Sequence, residues 1–204
     1  MSLNNPLARL EAFCDGVFAI AITLLIIDIK IPSTEKINTN ADFWNALKHI
    51  APSIFAFLLS FIIIFITWVN HHNAFKLADK LNSAFIYANG FLLLTVVVMP
   101  FPTSLVGEHL LTDHAAPAVI LYNTTMALQA IGWVLMTRTA LKGNLGKNEK
   151  SVSQIRKNGV FANFAFSLYT LLAILAIWFP FASAIVTTLT WIFWLIWGIS
   201  FKHE

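Results

Sequence analysis

The chain has 204 residues, 58% of them apolar, 14% aromatic and only 11% charged, against about 25% charged in a typical soluble domain. With 18 Phe, 7 Trp and a mean hydropathy of +0.73, it has room for six apolar stretches of about 20 residues and none for a separate soluble domain. Thirteen Lys and Arg against ten Asp and Glu give a net charge of +3, but the cations are scattered between apolar runs, so nucleic acid is not an expected partner.

Apolar windows fall at about 12–31, 50–70, 84–107, 115–137, 159–179 and 181–201. Each is long enough to cross a hydrocarbon core of about 30 Å, which predicts an all-α integral membrane protein of six transmembrane helices forming a single domain over residues 1–204. Before the first window stands only one basic side chain, Arg9, and no A-x-A-like cleavage site precedes Pro32, so the window reads as a retained helix and not a signal peptide. The last two windows meet at Pro180, which suits a tight break or a kink in one long helix. Between the fourth and fifth, residues 138–158 contain K-G-N-L-G-K-N-E-K-S and read as a solvated linker. No internal repeat stands out.

Six spans put both termini on one side. That side carries Arg9, Lys76, Lys80, Arg138, Lys142, Lys147, Lys150, Arg156, Lys157 and Lys202, and the other only Lys30, Lys36 and Lys48. The positive-inside rule therefore places both termini in the cytoplasm, with the protein multi-pass in a cell membrane. A five-span chain with a re-entrant segment is the alternative, and it would put the C-terminus outside.

Windows two to six contain no Asp, Glu, Lys or Arg in their interiors. The first differs. Its uncharged run from Gly16 to Ile27 makes only about 18 Å of helix, so Asp15 and Asp28 approach or enter the membrane, where ionisable groups face a bundle interior or an aqueous cavity. At about 100° per residue, Gly16, Ala19, Ile20, Thr23 and Ile27 share an arc of roughly 100°, with Leu24 beside them. Ala12, Gly16 and Ala19 permit close backbone approach. Both ordinary helix packing and copies of this helix gathered round a shared axis account for such a face, and Thr23 can simply bond its own backbone.

A second polar cluster, W-V-N-H-H-N-A-F from Trp68 to Phe75, closes the second window. Neighbouring His71 and His72 suggest a metal or a proton relay. On a helix, however, they point about 100° apart, and no acid or third histidine stands three or four residues away. Hydrogen bonding to neighbouring helices is the plainer reading. Trp191, Trp194 and Trp197 share one face of the last window as packing or lipid-facing surface, and Asn89, Asn123 and Asn163 lie inside windows as candidate interhelical glue. No nucleophile-and-base signature, phosphate-binding loop, zinc motif or T-V-G-Y-G filter occurs. Neither an enzyme nor a cofactor is expected. One cysteine, Cys14, excludes an intrachain disulfide.

The run R-L-E-A-F-C-D-G-V-F-A-I-A-I-T-L-L-I-I-D-I-K-I-P from Arg9 resembles the first helix of the transmembrane protein 175 family, potassium channels whose signature there is R-x-x-x-F-S-D. Arg9, Phe13 and Asp15 match, with Cys14 in the place of serine. W-x-x-H-H at Trp68, His71 and His72, and P-F-P-T from Pro100, agree in kind. The resemblance implies a homotetramer in a lipid bilayer, in which the first helices line a central pore for potassium ions without a re-entrant filter loop. It also implies a hydrophobic constriction at Ile20, continued by Leu24 and Ile27, and a contribution of Thr23 to potassium preference. Arg9, Phe13, Cys14, Asp15, Trp68 and His71 would form the motif network that anchors the pore helix. The alternative function is a membrane-embedded metal- or proton-coupled protein using Asp15, His71 and His72.

Overall fold

The computed structural model describes residues 5–29 and 37–199, without the side chains of Asp28 and of residues 197–199. Lys30, Lys36 and Lys202, used above in the charge count, and the side chain of Trp197 lie outside the described residues. The elements are helices α1 (Pro6–Leu24), α2 (Asn40–Lys76), α3 (Ser83–Val98), α4 (Pro100–His109), α5 (Ala115–Lys142), α6 (Glu149–Leu175) and α7 (Pro180–Ile199). A tight 3-10 turn, Leu25–Asp28, continues α1. All-helical architecture is what lipid demands of these apolar runs, because a helix satisfies its backbone groups internally.

Local chemistry marks where the helices begin. The Asn5 side chain accepts from the Leu7 amide in front of Pro6, and Thr39 and Asp42 form a reciprocal capping box at the head of α2. Asn82 and Asn148 cap α3 and α6 through the amides of Phe85 and Ser151. Pro100 and Pro180 open α4 and α7, a position where the missing N–H costs nothing.

Five segments are long and apolar enough to span a membrane: Pro6–Ile27, Asn40–Lys76, Ser83–His109, Ala115–Lys142 and Glu149–Leu175. A shorter apolar helix, Pro180–Ile196, follows them. The chain is thus a multi-pass membrane protein. Its third apolar window is two helices, because Pro100 cannot donate to the turn before it and α3 closes at Val98. The break between α6 and α7 is wider than Pro180 alone: α6 ends at Leu175 and the amides of Ile177, Trp178 and Phe179 fold back onto Ile174 and Leu175 before Pro180 starts α7.

The expected linker over 138–158 is mostly helix. α5 runs on to Lys142 and α6 starts at Glu149, which leaves residues 143–148 as the connection. Leu145 is buried there, and the amides of Asp79 and Lys147 bond the carbonyls of Leu145 and Leu77, tying this connection to the one after α2.

At the centre lies α5, packed against α3, α4, α6 and α7. Without a solvent-driven hydrophobic force inside lipid, such packing depends on close van der Waals fit. Gly132 provides it against α3: a Cβ there would lie 3.0 Å from the Leu92 Cα. The first helix packs on α2 and α3. Its contact side is Cys14, Phe18, Ala21 and Leu25, all buried in the main core with Ile64, Phe75, Leu92 and Val96.

Candidate functional site: the first helix and its anchors

Helices α1 and α2 are joined by two polar rungs. The Trp68 indole N–H donates to Asp15 Oδ1 at 2.8 Å, and His72 Nδ1 meets Glu11 Oε1 at 2.9 Å. Glu11 and Asp15 are one turn apart on α1, Trp68 and His72 one turn apart on α2, and the crossed order of partners means that the helices run antiparallel. The two α2 rings also stack on each other, with centroids 5.9 Å apart.

Beside the rungs is a buried chain of three groups from three helices. His71 Nε2 lies 2.7 Å from Asn89 Oδ1 on α3, and Asn89 Nδ2 donates to Cys14 Sγ at 3.0 Å. Because that Asn89 oxygen can only accept, the His71 proton sits on Nε2. His71 Nδ1 is buried without a hydrogen-bond partner. The imidazole is held between Phe18, at 5.2 Å between ring centroids, and Phe75, at 4.5 Å. Cys14 is fully buried, so the position offers its partner a thiol, a weaker acceptor than a hydroxyl.

Of the six motif residues, the structure brings Asp15 to Trp68 and Cys14 to His71 through Asn89. Arg9 and Phe13 lie elsewhere, exposed on the opposite side of α1, and the Arg9 guanidinium has no partner among the described residues of this subunit. His71 and His72 diverge, one into the core and one to Glu11. No three His, Cys, Asp or Glu side chains gather into a metal-holding group among the described residues.

The side of α1 turned away from its anchors is free. Ile20, Leu24 and Ile27 are 59%, 53% and 70% exposed, while Cys14 and Phe18 across the helix are 0% and 1% exposed. Ala12, Gly16, Ala19 and Thr23 share the exposed side. Ile27 falls on the 3-10 turn, where residues advance by about 120°, so the α-helical arc holds only as far as Leu24. The Thr23 hydroxyl donates to the carbonyls of Ala19, at 2.8 Å, and Ile20, at 3.2 Å. Its proton thereby points into the helix, and its lone pairs are left on the outer side.

Lipid-facing helices also expose aliphatic side chains, so exposure alone does not mark α1. A Cβ added at Gly16 would meet nothing within 4 Å, in contrast to Gly132, and the same holds at Gly90 on α3, so packing inside this subunit calls for a small residue at neither position.

Two residues of the anchor were not tied to it by sequence. Asn89 was readable as a buried amide in need of partners, but not as the bridge between Cys14 and His71. Glu11 carried a signal in its spacing, four residues before Asp15 and matched by the same spacing from Trp68 to His72. The other intramembrane amides divide: Asn123 accepts from Thr187 of α7 at 2.7 Å, whereas Asn163 donates to Gly159 of its own helix.

The family model described as "Endosomal/lysosomal potassium channel TMEM175" matches residues 9–100. A potassium channel of Chamaesiphon minutus is 45% identical over 119 residues, which is 58% of this chain and 58% of that protein, less than two thirds of its length. A potassium channel of a Chryseobacterium species is 34% identical over 143 residues, 70% of this chain and 68% of the other. Among solved structures, the crystal structure of a lysosomal potassium-selective channel TMEM175 homolog from Chamaesiphon minutus superposes with a TM-score of 0.80 at 32% identity, covering 94% of this chain and 97% of that one.

Proposed function

The chain belongs to the TMEM175 family, and from that membership and the free face of α1 we propose that it forms a potassium-permeable cation channel. Four copies assemble about an axis, each contributing α1 to a central pore, in a cell membrane with both termini cytoplasmic. The observation that carries the reading is the division of α1 into two sides. One is locked into the subunit by Cys14, Asp15 and Phe18, and the other presents Gly16, Ile20, Thr23 and Leu24 to nothing in the subunit. Gly16 supports assembly in particular, since a residue without a Cβ lets another helix backbone come close.

A ring of four Ile20 side chains dewets a narrow passage and blocks ions until the helices separate or rotate. Leu24 and Ile27 extend the apolar stretch, and four Thr23 oxygens, with their protons already given to the helix, supply lone pairs to a partly dehydrated cation. The polar rungs hold each α1 in the orientation that keeps this face on the axis.

The test is ion flux and reversal potential in liposomes holding the purified protein, with potassium on one side and sodium on the other. A passive current reversing toward the potassium equilibrium potential is the expected result. Flux that needs a pH gradient or saturates with substrate would replace the pore with a coupled transporter.

A further inference from the structure

Two of the chain's three arginines, Arg138 on α5 and Arg156 on α6, stand near the connection that joins these helices. The seam between the helices is fixed at Gly159, where a Cβ would lie 3.2 Å from Thr137 Oγ1. Residues 143–148 turn the chain back, so the helices run antiparallel, and Arg138, Arg156 and Lys142 fall about 1.5, 4.5 and 7.5 Å from that pair along the axis, all toward the same end. Rotation puts them together as well. At about 100° per residue, Arg138 stands about 100° from Thr137 and Arg156 about 60° from Gly159, both on the side of the seam opposite Trp133 and Tyr169, which line an internal cavity. All three cations are exposed, and none is ion-paired to a described residue. The acid of α6, Glu149, lies at the start of that helix, about 10 Å from Arg156.

Toward the bilayer centre the same side turns apolar: Leu135 and Leu128 of α5 are 37% and 42% exposed, and Val160 of α6 is 66% exposed. We propose that this outer groove of α5 and α6 binds an anionic phospholipid of the leaflet at that end, with its phosphate among Arg138, Arg156 and Lys142 and an acyl chain along Leu135, Leu128 and Val160. Three cations without a counter-charge beside them call for an anion, and an apolar track directly inward of them calls for a chain attached to it. Arginine suits the phosphate, because its planar fork meets two oxygens at once where a lysine ammonium acts as a point charge. A zwitterionic lipid brings its own ammonium with the phosphate, so the net attraction selects the anionic class. The helix assigned to the pore, α1, packs on α2 and α3, and the groove is no part of its free face.

The experiment adds dioleoyl phosphatidylglycerol, dioleoyl phosphatidylcholine or glycerol 3-phosphate to the purified full chain in detergent, read by native mass spectrometry for retained lipid and by thermal unfolding. Saturable retention of phosphatidylglycerol and a raised unfolding temperature are expected, with phosphatidylcholine held more weakly and glycerol 3-phosphate without effect. Arg138→Gln and Arg156→Gln should each weaken phosphatidylglycerol about fivefold, the equivalent of the ~1 kcal/mol that one basic side chain contributes beside an anionic membrane. Lys80→Gln and Lys147→Gln remove the same charge from exposed positions in the two connections at that end, and should change retention little. Equal losses from the two pairs mean a diffuse basic field and overturn the groove, as does equal retention of the two lipids. Glycerol 3-phosphate that binds as tightly as the lipid makes this a site for soluble phosphate and overturns the lipid reading. An arginine variant that alters the oligomeric state and not lipid retention gives the face to a second copy instead. Retention is read without any flux, so the site stands or falls apart from the channel reading.

Discussion

Ile20 and Asn89 sit on opposite sides of the same helix contact and fail in different ways. Ile20 makes little contact within the subunit, so replacing it by Asn should leave folding intact. If it forms the constriction, Ile20→Asn wets the passage, raises conductance and weakens potassium preference in the reversal-potential assay; unchanged permeation would remove Ile20 from the gate. Asn89 is the reverse case. Asn89→Leu deprives His71 Nε2 and Cys14 of their only bridge and leaves a buried imidazole N–H unpaired, at a cost of roughly 1–3 kcal/mol. Thermal unfolding in detergent should show that loss. A transition unmoved from wild type would mean that the network carries no stability.

Among the elements, α7 depends on polar glue more than on length. Its start is set by Pro180, and its hold on α5 includes the Thr187 hydroxyl donating to Asn123 at 2.7 Å inside the core. Further along, Tyr169 of α6 lies 2.8 Å from the Thr190 hydroxyl and accepts from the Trp194 indole at 2.9 Å. Thr187→Val keeps the shape but leaves the Asn123 carbonyl oxygen unpaired, so stability should fall by about 1–3 kcal/mol. Serine at 187 should restore most of it. If valine and serine behave alike in the same unfolding assay, packing and not the hydrogen bond holds α7. Trp191 and Trp194, expected as packing or lipid surface, serve as packing: Trp191 is buried in the core and the Trp194 indole reaches Tyr169 of α6.

At the scale of the whole molecule, the subunit is built around α5, with α1 set to one side on α2 and α3. The proposed assembly then has a specific weakness at Gly16. Position 16 is exposed and a Cβ there meets nothing within 4 Å inside the subunit, so the Gly16→Leu variant should fold with an unchanged far-UV spectrum. Where four α1 helices approach one another, the added side chain has no room, and the tetramer should dissociate or its pore should close. Light scattering coupled to gel filtration, together with flux, separates the outcomes. A Gly16→Leu protein that is tetrameric and conducts like wild type would remove α1 from the axis.

What the sequence determined by itself was helix and membrane: an uninterrupted apolar run in lipid has one way to satisfy its backbone, and Asn5, Thr39, Asn82, Asn148, Pro100 and Pro180 mark helix starts by chemistry confined to a few neighbours. The motif from Arg9 and the W-x-x-H-H run marked which helices matter. Neither could say how those helices are rotated. Lipid tails are as apolar as leucine, so inside a bilayer the apolar pattern carries little orientation, and the choice falls to close packing and to pairing of polar groups far apart in the chain. It took the packing of three helices to bring Asp15 to Trp68, to join His71 to Cys14 through Asn89, and to turn Arg9 and Phe13 away from the motif residues beside them. With that rotation set, Cys14 and Phe18 face the core, and Ile20 and Thr23 are left facing outward.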